Sequence, residues 1–143
     1  MDYVEHAADA ANALVGVSRA VRESGVEEEL LHLVSLRASQ INGCSYCVDL
    51  HYRDALDVGV PPRTVNAVAA WREAPFFTSR QRSALAWTET LTRVERDGAP
   101  DAVYEEVAAH FDDGELANLT FAVAAINAWN RVAVGFRKGP DPA

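Results

Sequence analysis

The amino-acid sequence predicts an all-α helical bundle, and three observations lead to this fold class. Apolar residues recur at intervals of three and four along most of the chain, the spacing of an amphipathic helix. Breaks that contain Gly or Pro divide the chain into segments of helical length. No segment alternates apolar and polar residues for long enough to indicate a strand. At 143 residues, 49% of them hydrophobic, the chain can bury one sizeable core, so we expect a single domain over residues 1–143 with about six to seven helices.

The first three helices are delimited by glycine-containing breaks. The first is expected over about Val4–Ser24, because the glycine that follows can adopt the left-handed conformation that ends helices. The second is expected over about Val26–Ile41, because glutamates in its first turn suit the positive helix end and the Asn-Gly pair that follows breaks it. The third opens around Cys44 and ends before a Gly-Val-Pro-Pro break.

Four further helices are expected in the second half of the chain. The two prolines at 61 and 62 can start a helix that runs to about Ala74. Thr78 followed by Gln81 resembles a capping box, so a fifth helix is expected over about Thr78–Glu95. A short sixth helix covers about Asp101–Phe111, and the last runs from about Asp112 to about Arg137.

The charge balance excludes some partners. The net charge is −8, and no cluster of Lys and Arg offsets it locally, so binding to the phosphate backbone of nucleic acids is disfavoured. No stretch approaches the roughly 18 apolar residues needed to span a membrane. The first 13 residues contain no Lys or Arg, the reverse of a secretory leader, so we expect a cytoplasmic protein.

The two cysteines and one histidine lie on one stripe of the third helix. At 100° per residue, Cys47 lies about 60° and His51 about 20° from Cys44 around the helix axis. Ala55 and Val58 extend this stripe. The opposite arc is expected to hold the polar residues and one tyrosine of this helix: Asp49, Arg53, Asp54, Asp57 and Tyr46.

This spacing suits thiol chemistry. A thiol with an ordinary pKa of about 8.5 is mostly protonated at neutral pH, and the thiolate is the reactive form. The start of a helix favours the anion, and His51, four residues after Cys47, can accept its proton. Cys44 is placed to close a disulfide after Cys47 is oxidised. From the spacing alone, a metal site and two buried, unreactive cysteines remain as alternatives.

A longer motif resembles a known family. The segment Leu33–His51, LVSLRASQINGCSYCVDLH, resembles the core signature of the AhpD-like alkylhydroperoxidases of the carboxymuconolactone decarboxylase superfamily. Three further blocks are similar to smaller members: AWREAPFF at Ala70–Phe77, ALAWTE at Ala84–Glu89 and AAINAWNR at Ala124–Arg131. The resemblance therefore covers nearly the whole chain.

The resemblance implies a fold, an activity and roles for the site residues. It implies an all-helical protein, assembled as a trimer or hexamer, that reduces hydroperoxides or a partner disulfide, with a redox core over about residues 26–95. Cys47 would pass through sulfenic acid, Cys44 would be proton donor and resolving cysteine, and His51 would belong to the proton relay. The electron donor would be an external dithiol of the dihydrolipoamide type or a redox protein, with no bound organic cofactor and no metal.

One position departs from the family pattern. The relay normally includes a glutamate twelve positions before the first cysteine, where this chain has His32. A histidine can relay a proton but does not supply the negative charge of a carboxylate. We include His32 among the predicted site residues, with Glu28 or Glu29 as partial substitutes for the missing carboxylate. His32 also falls on a polar stripe with Ser35 and Ser39, which would suit an ordinary partly exposed residue.

Two other functions were weighed. Cys44, Cys47, His51 and His32 together form a two-cysteine, two-histidine set, so the runner-up is a zinc-binding or redox-sensing helical module without turnover. Decarboxylation of a lactone is weaker, because the superfamily members with that activity are not built around this cysteine pair.

Overall fold

The predicted all-α fold is confirmed. The computed structural model describes residues 2–142 and, within them, contains nine α-helices, one turn of 3₁₀ helix and no strand. None of the helices in this range is long and apolar enough to cross a membrane. The α-helices are α1 (Tyr3–His6), α2 (Ala8–Arg22), α3 (Glu28–Asn42), α4 (Ser45–Asp57), α5 (Pro62–Ala67), α6 (Ser79–Thr92), α7 (Val94–Asp97), α8 (Asp101–Ala108) and α9 (Asp113–Gly135), and the 3₁₀ turn is Val68–Ala70.

The expected number of six to seven helices was too low, because two helices are broken near one end. The first is interrupted at Ala7, whose φ of −138° is far from helical, and this residue separates α1 from α2. The fifth ends at Arg93, with φ of −114°, so that α7 forms a separate turn. The fourth is shorter than expected, since α5 ends at Ala67 and continues only as a 3₁₀ turn.

Two predicted helix starts are observed as complete capping boxes. The Thr78 hydroxyl accepts from the backbone N–H of Gln81, whose side chain accepts from the Thr78 N–H. Asp112 and Glu115 make the same reciprocal pair at the start of α9. Each pair satisfies backbone donors that a helix leaves unpaired, so both starts are fixed by local sequence.

Helix α3 is the centre of the fold and packs against α4, α6 and α9. Its Leu31 and Val34 belong to an apolar cluster shared with α2, α6, α8 and α9. Leu33 and Leu36 belong to a second cluster shared with α4, α5 and α6. Helix α3 is therefore apolar on two sides, and His32 lies on the side that faces α4.

A buried carboxylate ties α6 to α3 and to the segment after α5. Glu89 accepts hydrogen bonds from Arg37 Nε at 2.8 Å, from Trp71 Nε1 at 3.0 Å and from Arg72. Burial alone would raise the pKa of Glu89, but the bonds from Arg72, Trp71 and Arg37 outweigh it and hold the pKa below its usual value. The family-like blocks AWREAPFF and ALAWTE thus meet at one structural ion cluster.

Candidate redox site

Cys44 and Cys47 are joined by a disulfide at the start of α4. Cys44 is the N-cap residue, and its sulfur accepts from the backbone N–H of Cys47 at 3.3 Å. The two Cα atoms are 5.3 Å apart, and only 1% of Cys44 and 3% of Cys47 is exposed. The two cysteines therefore lie at the start of a helix, where helix N–H groups favour a thiolate.

The turn before the disulfide is fixed by glycine and by an asparagine network. Gly43 has φ of +68°, the left-handed conformation that suits a residue without Cβ. One residue earlier, Asn42 Nδ2 donates to Asn130 Oδ1 at 2.8 Å and to Asn127 Oδ1 at 3.0 Å. Asn130, fully buried in α9, donates in turn to Ser39 of α3. The family-like AAINAWNR block therefore anchors the entry to the reactive helix.

His51 follows the disulfide by one turn and lies mostly inside the protein. Its side chain is 17% exposed, and its Nδ1 atom is buried without a hydrogen-bond partner. Burial, together with the positive charges of His32 and Arg22, lowers the pKa of His51 from 6.5 to about 4. The imidazole is therefore neutral at neutral pH and able to accept a proton.

His32 reaches the same place from α3. Its ring centre lies 5.9 Å from that of His51, and its side chain is 16% exposed. Glu28 Oε1 lies 3.8 Å from His32 Nε2, so one of the two carboxylates expected as substitutes does approach the pair. The polar stripe to which His32 belongs is not a solvated face, because Ser39 is fully buried and Ser35 lines a cavity.

Asp54 also belongs to this site, and the expectation that it lies on the opposite arc of α4 was wrong. Its Oδ2 lies 3.8 Å from His51 Nδ1 and 3.9 Å from His32 Nδ1. The signal was present in the sequence. Asp54 follows Cys47 by seven residues, the same separation that places His51 about 20° from Cys44. Tyr46 was likewise assigned to the polar face, yet it is half-buried and packs beside the cysteines.

A cavity of about 500 Å³ opens beside the histidines. The histidines, Asp54 and Glu28 form one part of its wall, and α2 and α9 form the other. Ile126 and Ala133 line this cavity and also pack against Cys44 and Cys47. Among the described residues, neither cysteine lines this cavity.

The zinc set proposed from sequence is not assembled in this structure. Both sulfurs are bonded to each other, so neither is a thiolate that could ligate a metal. The histidines of that set instead converge on Asp54.

The helical fold and the disulfide at the start of α4 define an AhpD-like protein, which confirms the resemblance seen in the sequence. Residues 8–90 match the Carboxymuconolactone decarboxylase family, and the chain belongs to this family. The uncharacterized protein YdfG of Bacillus subtilis is 28% identical over 134 residues, which cover 94% of this chain and 91% of YdfG.

Two solved structures are similar over most of the chain. One is a protein of unknown function from Agrobacterium tumefaciens that has been proposed to be the antioxidant defence protein AhpD. It has a TM-score of 0.96 and 38% identity, over 100% of this chain and 98% of that one. The other is an uncharacterized peroxidase-related protein from Silicibacter sp. TM1040, with a TM-score of 0.81 and 24% identity, over 91% of this chain and 69% of that one. The second likeness concerns the fold alone.

Proposed function

We propose that the protein is a thiol-dependent hydroperoxide reductase or disulfide oxidoreductase that uses Cys44 and Cys47. The observation that carries the proposal is the disulfide itself. It closes between a helix N-cap and the first turn of the same helix, one turn before a buried and neutral histidine.

The proposed cycle balances in three steps. The Cys47 thiolate attacks one oxygen of the hydroperoxide, the O–O bond breaks, and the alkoxide takes a proton and leaves as alcohol. The Cys44 sulfur then attacks the Cys47 sulfenic acid, so that a disulfide forms and water leaves. An external dithiol reduces this disulfide through a mixed disulfide and is itself oxidised to a disulfide, which passes two electrons per peroxide.

The histidines are proposed to move the protons of this cycle. His51 takes the Cys47 proton, because it lies one turn after Cys47 on α4 and its imidazole is neutral. His32 lies beside His51 on the wall of the cavity where a substrate or donor would enter, and it exchanges the proton with His51. Asp54, at 3.8 Å, stabilises the imidazolium that results. No bound organic cofactor is needed for these steps.

We also propose that the chain assembles into a homo-oligomer, a trimer or a hexamer, as its family does. Several large apolar residues on the surface of this single chain support the proposal. Phe121, Val134 and Phe136 are 60%, 49% and 41% exposed. Burial of such side chains against a second copy would be favourable.

The central test is consumption of cumene hydroperoxide with dihydrolipoamide as donor. We expect turnover by the wild type and only the uncatalysed rate with Cys47→Ser. The matched variant Cys44→Ser, reduced and then freed of dithiol, should consume one equivalent of peroxide and stop, with the Cys47 sulfenic acid trapped by dimedone. Equal steady-state rates in wild type and Cys47→Ser would refute the assignment of Cys47 as the nucleophile.

A redox sensor without turnover is the second candidate. It is favoured by the burial of both sulfurs. The two functions differ in stoichiometry. A sensor consumes one equivalent of peroxide per reduced chain and is not re-reduced by excess dihydrolipoamide, whereas the proposed enzyme consumes many equivalents.

A further inference from the structure

Three metal-ligating side chains converge on the cavity wall without using either cysteine. One ligand atom from each of His32, His51 and Asp54 lies within 4.8 Å of the other two. We propose that these three side chains bind a divalent transition-metal ion of the Zn²⁺ type. This site shares its three side chains with the proposed proton relay but uses neither cysteine, since all of its ligands remain available while Cys44 and Cys47 are joined.

The distances are close to those of a loaded site. Zinc bonds to imidazole nitrogen and carboxylate oxygen are about 2.0–2.2 Å, which in a tetrahedron separates neighbouring ligand atoms by about 3.3–3.5 Å. Asp54 Oδ2 lies 3.8 Å from His51 Nδ1 and 3.9 Å from His32 Nδ1. Each of these two gaps must close by about half an ångström, and the gap between the two imidazole nitrogens, which is at most 4.8 Å, by up to about 1.4 Å. Side-chain rotations can close these gaps, because His32 and Asp54 border the cavity rather than solid packing.

The polar environment of the histidines independently points to a ligand. His51 Nδ1 is buried and has no hydrogen-bond partner, and an unpaired buried nitrogen is costly unless something binds it. His32 directs Nδ1 towards Asp54 and its other nitrogen, Nε2, towards Glu28 at 3.8 Å. Metal-binding histidines typically have a carboxylate at the second ring nitrogen, which orients the ring and selects the tautomer. Glu28 is suited to this orienting role.

The donor set also indicates the kind of metal. Two imidazoles and one carboxylate suit Zn²⁺ and its first-row neighbours better than Mg²⁺ or Ca²⁺, which prefer oxygen ligands. Three protein ligands leave at least one coordination position open towards the cavity. Arg22 and Lys138 also line the cavity, and their positive charges disfavour a bound cation. The Lys138 ammonium group lies over the Tyr46 ring, 4.2 Å from the ring centre. Glu28 and Asp54 offset these two charges.

The test is calorimetric titration of Zn²⁺ into the oxidised protein, after a thiol assay has shown that no free cysteine remains. We expect one Zn²⁺ per chain, binding at least about tenfold weaker in Asp54→Asn and in His32→Gln. The control His110→Gln removes a histidine at the end of α8, also beside a carboxylate, and should bind as the wild type does. The double variant Cys44→Ser, Cys47→Ser should retain the site.

Other outcomes would overturn the proposal. Equal affinity in wild type, Asp54→Asn and His32→Gln would assign any binding to surface groups. Zinc binding by the reduced wild type alone would assign it to the thiolates. Because Asn has nearly the shape of Asp, and His32→Gln gives a second, independent variant, misfolding of one protein does not decide the result. The two proposals have separate readouts, because Zn²⁺ binding is measured on the oxidised protein and hydroperoxide turnover is tested with Cys47→Ser in the presence of chelator.

Discussion

His32 and His51 face each other across the contact between α3 and α4, with ring centres 5.9 Å apart. One ring comes from the central helix and the other from the helix that carries the disulfide. Burial is the main cause that lowers the pKa of His51, and the neighbouring His32 lowers it further. The protonation of His51 therefore contributes to the pH dependence of stability.

The first prediction concerns the stability of the oxidised protein as a function of pH, measured with EDTA present. The pKa of His51 is about 4 in the folded chain against 6.5 for an unperturbed histidine, so the unfolded state binds more protons between these values. Stability is therefore complete above pH 6.5 and falls as pH drops towards 4, by about 3 kcal/mol from this group. Urea unfolding of wild type and His51→Gln at several pH values measures the difference.

The variant His51→Gln should lack this component, since glutamine does not titrate. His110→Gln is the control, because this histidine lies at the end of α8, away from the site, and its loss should leave the pH dependence of wild type intact. If His51→Gln and wild type lose stability in parallel between pH 6.5 and 4, His51 is not a buried neutral group.

The second prediction concerns the residue in the place of the family glutamate. His32→Glu introduces a carboxylate beside His51, which favours the imidazolium and hence its pairing with the Cys47 thiolate. We expect the midpoint of Cys47 alkylation by iodoacetamide to fall by about one pH unit. Pre-reduced wild type and variant are compared with chelator present, and His110→Glu serves as the control. Superimposable pH profiles would show that position 32 does not influence the thiol.

Much of the site follows from the sequence because three of its members lie on one helix. Helical spacing alone places Cys44, Cys47 and His51 on a common stripe, and the structure buries that stripe. Spacing also places Asp54 there, but its charge suggested a solvated face. The approach of His32 depends on how α3 packs on α4, which no local pattern encodes, and only the family resemblance indicated it.

The breaks in the helices were harder to predict than the fold class. Ala7 and Arg93 are both residues that helices accept, and no Gly or Pro marks either position. Exposure explains the break at Arg93. Val94, the first residue of α7, is 54% exposed, and none of the four residues of α7 is buried in the core. The unpaired state of His51 Nδ1 likewise depends on tertiary packing around α4.

The third prediction tests the buried ion cluster at Glu89. In Glu89→Gln, Arg37 and Arg72 lose the carboxylate that compensates their charge, and breaking one side of such a cluster destabilises by about 3 kcal/mol. We expect a loss of stability at the lower end of the range for broken buried ion pairs, because the Arg72 side chain is 58% exposed. Urea unfolding at neutral pH measures the change.

Glu95→Gln, which removes an exposed carboxylate 3.7 Å from Arg96, is the matched control and should leave stability unchanged. Similar losses in both variants would contradict a structural role for Glu89.

The last prediction follows from the proposed metal site and does not involve catalysis. A ligand that binds only the folded state stabilises it by mass action, by about 2.7 kcal/mol at a free concentration one hundred times its Kd. Zn²⁺ should therefore raise the urea midpoint of the oxidised wild type, and EDTA should reverse the shift. In Asp54→Asn the same Zn²⁺ concentration should give a much smaller shift, because the carboxylate that joins the two imidazoles has lost its charge. An equal shift in both proteins would mean that Zn²⁺ stabilises the fold from somewhere other than the gap between α3 and α4.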